Sequence, residues 1–251
     1  MAVDAGRPVM LVTGASRGIG AAIARAAAST YDLALNYSSS DTVAAELAAE
    51  LAPDSCRVEL LRADVADEEA VVAMFATLAD RFGRLDALVN NAGIAGGYGE
   101  LATVTSAMLT RLFAVNVAGA FLCAREAAAR MSTSSGGRGG SIVNISSKAA
   151  ILGGSGEWVH YAASKGAIDT MTVGLAKELA SHGIRVNGVR PGLIESDFHL
   201  AAPPGRVERM APTIPMQRSG SAAEVAEAVL WLASPAASYV TGSFIDVAGG
   251  R

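Results

Sequence analysis

The chain has 251 residues, 51% of them apolar and 18% charged, enough to bury the core of one open-sheet α/β domain over residues 9–251 without a second. A formal net charge of -4, a pI near 5.4 and no run of Lys or Arg remove the electrostatic footprint of a nucleic-acid or membrane-surface protein. Apolar runs are expected to break at Gly, Arg or Asp short of membrane-spanning length. Residues 1–8, a flexible N-terminus, lack the apolar stretch of a signal peptide, so the expected location is cytoplasmic.

Val9 to Thr13 reads as a short buried strand, followed by Gly14-Ala15-Ser16-Arg17-Gly18-Ile19-Gly20 and an alanine-rich helix from Ala21 to Ser29. Strand, glycine turn and helix start form a phosphate cradle: small residues let backbone approach a pyrophosphate, and the helix dipole favours its charge. The same residues spell Gly14-x-Ser16-x-Gly18, the nucleophile elbow of a hydrolase. That reading fails on chain order, because only eight residues precede Val9 and no His stands at the end of a late strand.

Tyr31 to Tyr37 is the expected second strand, and Asn36-Tyr37-Ser38-Ser39-Ser40 carries no acid where an NAD-selective fold would place one. Arg17 in the glycine turn and the amide and hydroxyl donors at 36 to 39 favour NADP, while the nearby Asp41 leaves NAD open. A plain alternative is that Arg17 is solvated and the serines cap a helix from Asp41 to Leu51. Cys56 to Leu61 is the third strand, leading to Ala63-Asp64-Val65, where Asp64 either accepts from an adenine amino group or caps the next helix. That helix spans Asp67 to Phe82 and ends at Gly83. Leu85 to Val89 is the fourth strand, delivering Asn90-Asn91-Ala92-Gly93, small residues that leave room for a flat ligand or asparagines that tie strands together.

Thr103 to Met131 shows a long helical pattern with Asn116 in an apolar stretch, a costly burial unless the amide is bonded. Cys56 and Cys123 are read as reduced core thiols, and three scattered histidines make no ligand set, so no metal site is expected. Ser141 to Ser147 is the fifth strand, with Ser146 and Ser147 at the end that binds ligands in open α/β sheets. A flexible linker, Gly153 to Gly156, precedes a helix that runs to about His182. Ile184 to Val189 is the sixth strand, closed by Pro191-Gly192. Leu193 to Gln217 is irregular and long enough to be a functional lid, and Ser221 to Ala233 and Ser243 to Val247 give a last helix and strand.

The helix after the linker opens with Tyr161-Ala162-Ala163-Ser164-Lys165. Tyr161 and Lys165 share a helix face, and an ammonium one turn away is expected to draw a phenol's pKa below its ordinary value near about 10. Taken alone, the pair reads rather as two surface residues.

Thr13-Gly14-x-x-x-Gly18-Ile19-Gly20, Asn90-Asn91-Ala92-Gly93, Asn116, Ser147, Tyr161-x-x-x-Lys165 and Pro191-Gly192 together resemble the short-chain dehydrogenase/reductase family over essentially the whole chain. Within it the chain looks like bacterial glucose 1-dehydrogenase-like and 3-oxoacyl-carrier-protein-reductase-like oxidoreductases. The resemblance implies a Rossmann-type, doubly wound, seven-stranded parallel sheet with helices on both faces. It implies a catalytic tetrad of Asn116, Ser147, Tyr161 and Lys165, with Tyr161 as general acid in carbonyl reduction and base in alcohol oxidation. It implies a cofactor site of Thr13, Gly14, Ser16, Arg17, Gly18, Ile19, Gly20, Asn36, Tyr37, Ser38, Asp64, Val65, Asn91, Ala92, Gly93, Tyr161, Lys165, Pro191, Gly192, Ile194 and Ser196.

The step from Ser147 to Tyr161 is one residue longer than the family's usual spacing, so the loop carrying Glu157 and Trp158 is expected to be shaped differently. Trp158, Leu193, Phe198, His199 and Met210 are the pocket candidates, with Trp158 equally suited to a subunit interface. A carrier-protein thioester would call for basic residues near the mouth, for which Arg130, Arg138, Arg206 and Arg209 are candidates. Small residues in helices 105–131 and 161–181 suit a homotetramer. A non-catalytic NAD(P)-binding sensor or assembly subunit of the same fold is the alternative function, disfavoured by the intact Tyr161 and Lys165.

Overall fold

Val9–Val12 forms β1, and all four residues are buried. A strand without polar alternation needs cover on both faces, and that cover defines the architecture. The computed structural model describes residues 6–52, 56–196 and 202–251. The strands β2 (Asp32–Tyr37), β3 (Val58–Arg62), β4 (Ala87–Asn90), β5 (Gly140–Ile145), β6 (Ile184–Pro191) and β7 (Phe244–Val247) complete one seven-stranded sheet in the order β3-β2-β1-β4-β5-β6-β7. Every pairing is parallel. This is the doubly wound Rossmann-type sheet, and its order reverses between β1 and β4, where a crevice opens at the carboxyl ends of the strands.

Side chains alternate between two cores. Val9, Leu11, Leu88, Ile142 and Val186 pack beneath α3 (Glu68–Phe82), α5 (Gly119–Met131) and α7 (Val159–Leu179). Met10, Val12, Val89, Val143 and Val189 pack on the other face beneath α1 (Gly18–Ala27), α2 (Asp41–Leu51) and α9 (Ala222–Ala233). Local signals fix the helix ends. Asp67 caps α3 by accepting from the Ala70 N–H, Gly83 closes it in the left-handed region, and Ser221 with Glu224 forms a capping box at α9.

The structure redraws several expected boundaries. β3 begins at Val58 rather than Cys56, and β5 stops at Ile145, which leaves Ser146 and Ser147 beyond the strand. The pattern from Thr103 is not one helix: α4 (Ser106–Phe113), capped by Thr105, joins α5 through a widened turn at Ala114–Ala118 in which Gly119 N–H bonds the Ala114 carbonyl five residues back. Ser106–Met131 is long and apolar enough to cross a membrane, with a mean hydropathy of 1.6, against the expectation that no run reaches that length. Here Cys123, Ala124, Ala127 and Met131 pack into the core beneath the sheet. Gly153–Gly156 follows a short helix, α6 (Ala149–Leu152), and the irregular segment after Leu193 contains α8 (Arg206–Met210).

Candidate active site

The crevice is a cleft of about 880 Å³ running from the glycine turn to the start of α8. At its floor Gly14 adopts φ +62°, and a Cβ there would come within 2.9 Å of the Ala92 Cα. At Gly20 a Cβ would meet the Gly14 carbonyl oxygen at 2.4 Å. Gly20 therefore serves close packing of α1 on the turn, and it does not line the cleft. Gly14, Ser16, Arg17, Gly18 and Ile19 do. Arg17 stands exposed at the start of α1, whose first turn carries no side-chain cap, the arrangement that receives an anion.

Three expected ligand contacts also brace the fold. Thr13 is buried, and its Oγ1 accepts from the Asn91 and Ala92 N–H groups at 3.0 Å each. It does not line the cleft. Asn91 borders the cleft, but its amide donates to the Thr13 and Gly14 carbonyls. Asn36 also borders it, yet its Oδ1 accepts from Gly14 N–H and its Nδ2 donates to the carbonyls of Leu61 and Ala63. That amide cannot also meet a 2′-phosphate. Asn90 bonds Asn144 and the Ala120 carbonyl, which makes it the strand tie.

Tyr37, Ser38, Ser39 and Ser40 line the cleft beside Arg17. Asp41 pairs with Arg62 at 3.5 Å and is not among the lining residues. Beyond β3, Asp64 and Val65 form a wall. Asp64 Oδ1 accepts from Ala66 N–H at 3.0 Å and Oδ2 pairs with Arg111 at 2.8 Å. Burial opposes ionisation there, yet the Ala66 N–H and the Arg111 guanidinium hold the Asp64 carboxyl below its usual range. Arg111 lines the cleft and was not foreseen, because it reaches Asp64 from α4, far along the chain.

Ser147, Tyr161 and Lys165 also line the cleft. The Ser147 hydroxyl accepts from Ala149 N–H at 3.1 Å and is hydrogen-bonded to Tyr161. Ser146 is a brace, its Oγ donating to Asp169 Oδ1 at 2.6 Å. Lys165 Nζ lies 5.7 Å from the Tyr161 ring centre and donates to the Ile145 carbonyl at 2.7 Å. Asn116 sits behind Gly93 rather than in the cleft. Its Oδ1 accepts from Ile94 N–H, and its Nδ2 donates to the Ile94 carbonyl and to Ser164 Oγ, which offsets the burial of its amide. Gly93 separates it from the ligand space: a Cβ there would lie 3.4 Å from Asn116 Oδ1 and 3.6 Å from Lys165 Nζ.

One electrostatic expectation is overturned. Burial pushes the Tyr161 phenol up to about 12, against the Ser147 hydrogen bond, rather than Lys165 drawing it down. Burial also pulls Lys165 down to about 8, opposed by Asp169 one turn on. The physical reason is that desolvation penalises both charged forms while the Lys165 ammonium is directed at a backbone carbonyl.

At the far end stand Trp158, Leu193, Ile194, Ser196, Pro191 and Gly192, with Glu157, Arg206 and Arg251 at the mouth. Trp158 is 5% exposed and lines the cleft, so it belongs to the pocket within its own chain. Met210, at the end of α8, does not border the cleft, and Phe198 and His199 lie outside the described residues. Of the basic candidates, only Arg206 reaches the cleft. Arg130 is tied to Glu126 at the end of α5, and Arg138 lies in the loop feeding the amino end of β5, the sheet edge opposite the cleft.

Residues 14–251 match the family described as enoyl-(acyl carrier protein) reductase. The chain is 50% identical over 245 residues to an uncharacterized oxidoreductase, YgfF, of Escherichia coli (strain K12), covering 97% of this chain and 99% of that one. It is 38% identical over 241 residues to the 3-oxoacyl-[acyl-carrier-protein] reductase FabG of Staphylococcus aureus (strain Mu50), covering 96% of each. A short-chain dehydrogenase from Burkholderia cenocepacia, solved in complex with NADP, superposes with a TM-score of 0.89 at 32% identity, over 98% of this chain and 97% of that one. A short-chain type dehydrogenase/reductase from Mycobacterium marinum gives 0.90 at 34% identity, over 97% and 94%. Identity at this level across nearly the full length, on the same sheet and with the Ser147, Tyr161 and Lys165 cluster at its cleft, places the chain in the short-chain dehydrogenase/reductase family of oxidoreductases.

Proposed function

We propose that this chain is an NADP(H)-dependent oxidoreductase that interconverts a carbonyl and a secondary alcohol, with Tyr161 as general acid and base. The observation that carries the reading is the convergence of Ser147, Tyr161 and Lys165 on a cleft that begins at a glycine turn. NADP fits the residues present. Gly14 and Gly18 leave space that side chains would fill, and Arg17 with Ser38 and Ser39 offers a cation and hydroxyls where a 2′-phosphate would lie. No carboxylate lines that end of the cleft among the described residues except Asp64, which Arg111 neutralises. The solved relative with NADP supports the same choice.

When bound, the reduced nicotinamide supplies the hydride. Ser147 is placed to hydrogen-bond the substrate oxygen as negative charge develops on it. Tyr161 gives that oxygen its proton, and its raised pKa keeps the phenol protonated at neutral pH, the form that reduction requires. In oxidation the same oxygen takes the proton, assisted by the Lys165 charge. Asn116 holds Ile94 and Ser164 and so supports the wall behind Gly93 from the widened turn between α4 and α5. A cytoplasmic homotetramer is part of this reading, and the exposed Leu109, Phe113 and Phe121 of α4 and α5 and Val173 of α7 offer apolar surface for contact between copies.

Screening NADPH oxidation against a panel of ketones, 3-oxoesters and aldoses, with NADP reduction of the matching alcohols, tests the proposal. Saturable turnover of at least one pair is expected. Tight NADPH binding with no turnover across the panel would favour a sensor or assembly subunit instead.

A further inference from the structure

A polar cluster bordering the cleft outside the tetrad ties three separate segments together. Arg206, the first residue of α8, donates from Nε to Glu157 Oε1 at 3.0 Å and from Nη2 to Oε2 at 2.5 Å. Its guanidinium stacks over Trp158 at 4.6 Å from the ring centre. Tyr98 packs edge-on against the same indole, centroids 5.1 Å apart, and its hydroxyl donates to Glu157 Oε1 at 3.4 Å. The loop bearing Tyr98 is fastened twice more: Gly99 N–H donates to the Glu157 carbonyl at 2.9 Å, and the Gly97 carbonyl meets His160 Nε2 at 3.2 Å. Arg206 is 8% exposed and Trp158 5%.

The indole is therefore held on one side by a guanidinium and on another by a phenol ring, with Glu157 bonded to both. Trp158 immediately precedes the first residue of α7, and Tyr161 follows three residues later. A bidentate ion pair whose guanidinium is buried and whose carboxylate is partly exposed adds little net stability, but it fixes geometry. Here the geometry fixed is the distance between α8 and the helix turn that presents Tyr161.

We propose that Arg206 and Glu157 are specificity-determining positioning residues, clamping α8 and the Tyr98 loop onto Trp158 to form the wall against which the non-reacting part of a compact carbonyl substrate rests. The proposal rests on the reading of Tyr161 as the acid. The wall is flat and aromatic, and its guanidinium is met by a carboxylate, so it suits a short ketone or 3-oxoester. In this proposal a long acyl chain meets the clamped α8 and is disfavoured.

The test uses the full chain with NADPH and two probes, ethyl acetoacetate and ethyl 3-oxodecanoate, in wild type, Arg206→Met, Arg206→Lys, Glu157→Gln and the Arg206→Met/Glu157→Gln double variant. Arg206→Met and Glu157→Gln should each raise KM for ethyl acetoacetate about tenfold, with KM for NADPH within about twofold. The preference for the shorter ester should shrink, Arg206→Lys should recover part of the loss, and the double variant should be no worse than either single one. Equal losses for both esters, a matching rise in KM for NADPH, or additive single losses would overturn the proposal. Amide hydrogen exchange needs no turnover and separates the clamp from the tyrosine reading. Exchange at 157–162 and 206–210 should rise in Glu157→Gln, and an unchanged pattern would overturn the clamp even if the ketones react.

Discussion

Lys165 donates from Nζ to the main-chain carbonyl of Ile145 at 2.7 Å, so the ammonium is anchored to the end of β5 while its charge stands 5.7 Å from the Tyr161 ring. The anchor explains how a buried lysine is held at the cleft without a carboxylate in contact. Asp169 acts from one turn away, its own oxygens bonded to Ser146 Oγ and Arg190 Nε.

This relationship sets the pH dependence of reduction. Lys165 sits at about 8 because burial lowers it and Asp169 partly restores it. The rate constant kcat/KM for carbonyl reduction should be flat below that value and fall as pH rises through it, as the ammonium that offsets the negative charge left on Tyr161 after it gives up its proton is lost. Asp169→Asn removes the restoring charge and leaves Arg190 nearby, so the falling limb should move to lower pH. A pH profile of both proteins measures it, and an unmoved limb would contradict the assignment.

Stability carries the same signature with the opposite benefit. Lys165 titrates near 10.5 unfolded and about 8 folded. Between those values the unfolded chain binds more protons, so this group's contribution improves as pH rises across the window and is lost as pH falls through about 8. The full swing is on the order of 3 kcal/mol. Lys165→Met lacks the titration, so its Tm relative to wild type should be highest below pH 8 and decline toward pH 10.5. Thermal unfolding at a series of pH values checks the slope of that difference.

Coenzyme choice depends on Arg17, exposed beside Ser38 and Ser39 at the cleft. Arg17→Ala should weaken NADPH binding about tenfold, near 1.4 kcal/mol, and change NADH binding by less than about twofold. Titration of both coenzymes decides it. Equal affinities in the wild type would end the NADP assignment.

Where a residue's position follows from local spacing, the sequence puts it at the cleft. Gly14 and Gly18 follow the first strand, Tyr161 and Lys165 share one helix turn, and Ser147 lies just past a strand end; all five line the cleft. Roles that depend on which partner an amide finds were harder to read. Thr13, Asn36 and Asn91 stand where ligand contacts would be, yet their polar atoms brace the glycine turn because buried donors and acceptors there need partners whether or not a ligand is bound. Burial likewise reversed the expected direction at Tyr161, since desolvation is a property of the packed fold and not of spacing. The contacts of Arg111 with Asp64 and of Arg206 with Glu157 join distant segments and leave no local pattern.

The most direct measurement compares wild type with Tyr161→Phe in two assays on the same preparations: NADPH oxidation with the best ketone of the panel, and NADPH binding by fluorescence titration. Loss of the proton donor should lower kcat by at least about a thousandfold while the NADPH Kd stays within about twofold. A Tyr161→Phe protein that reduces the ketone at the wild-type rate would contradict the account.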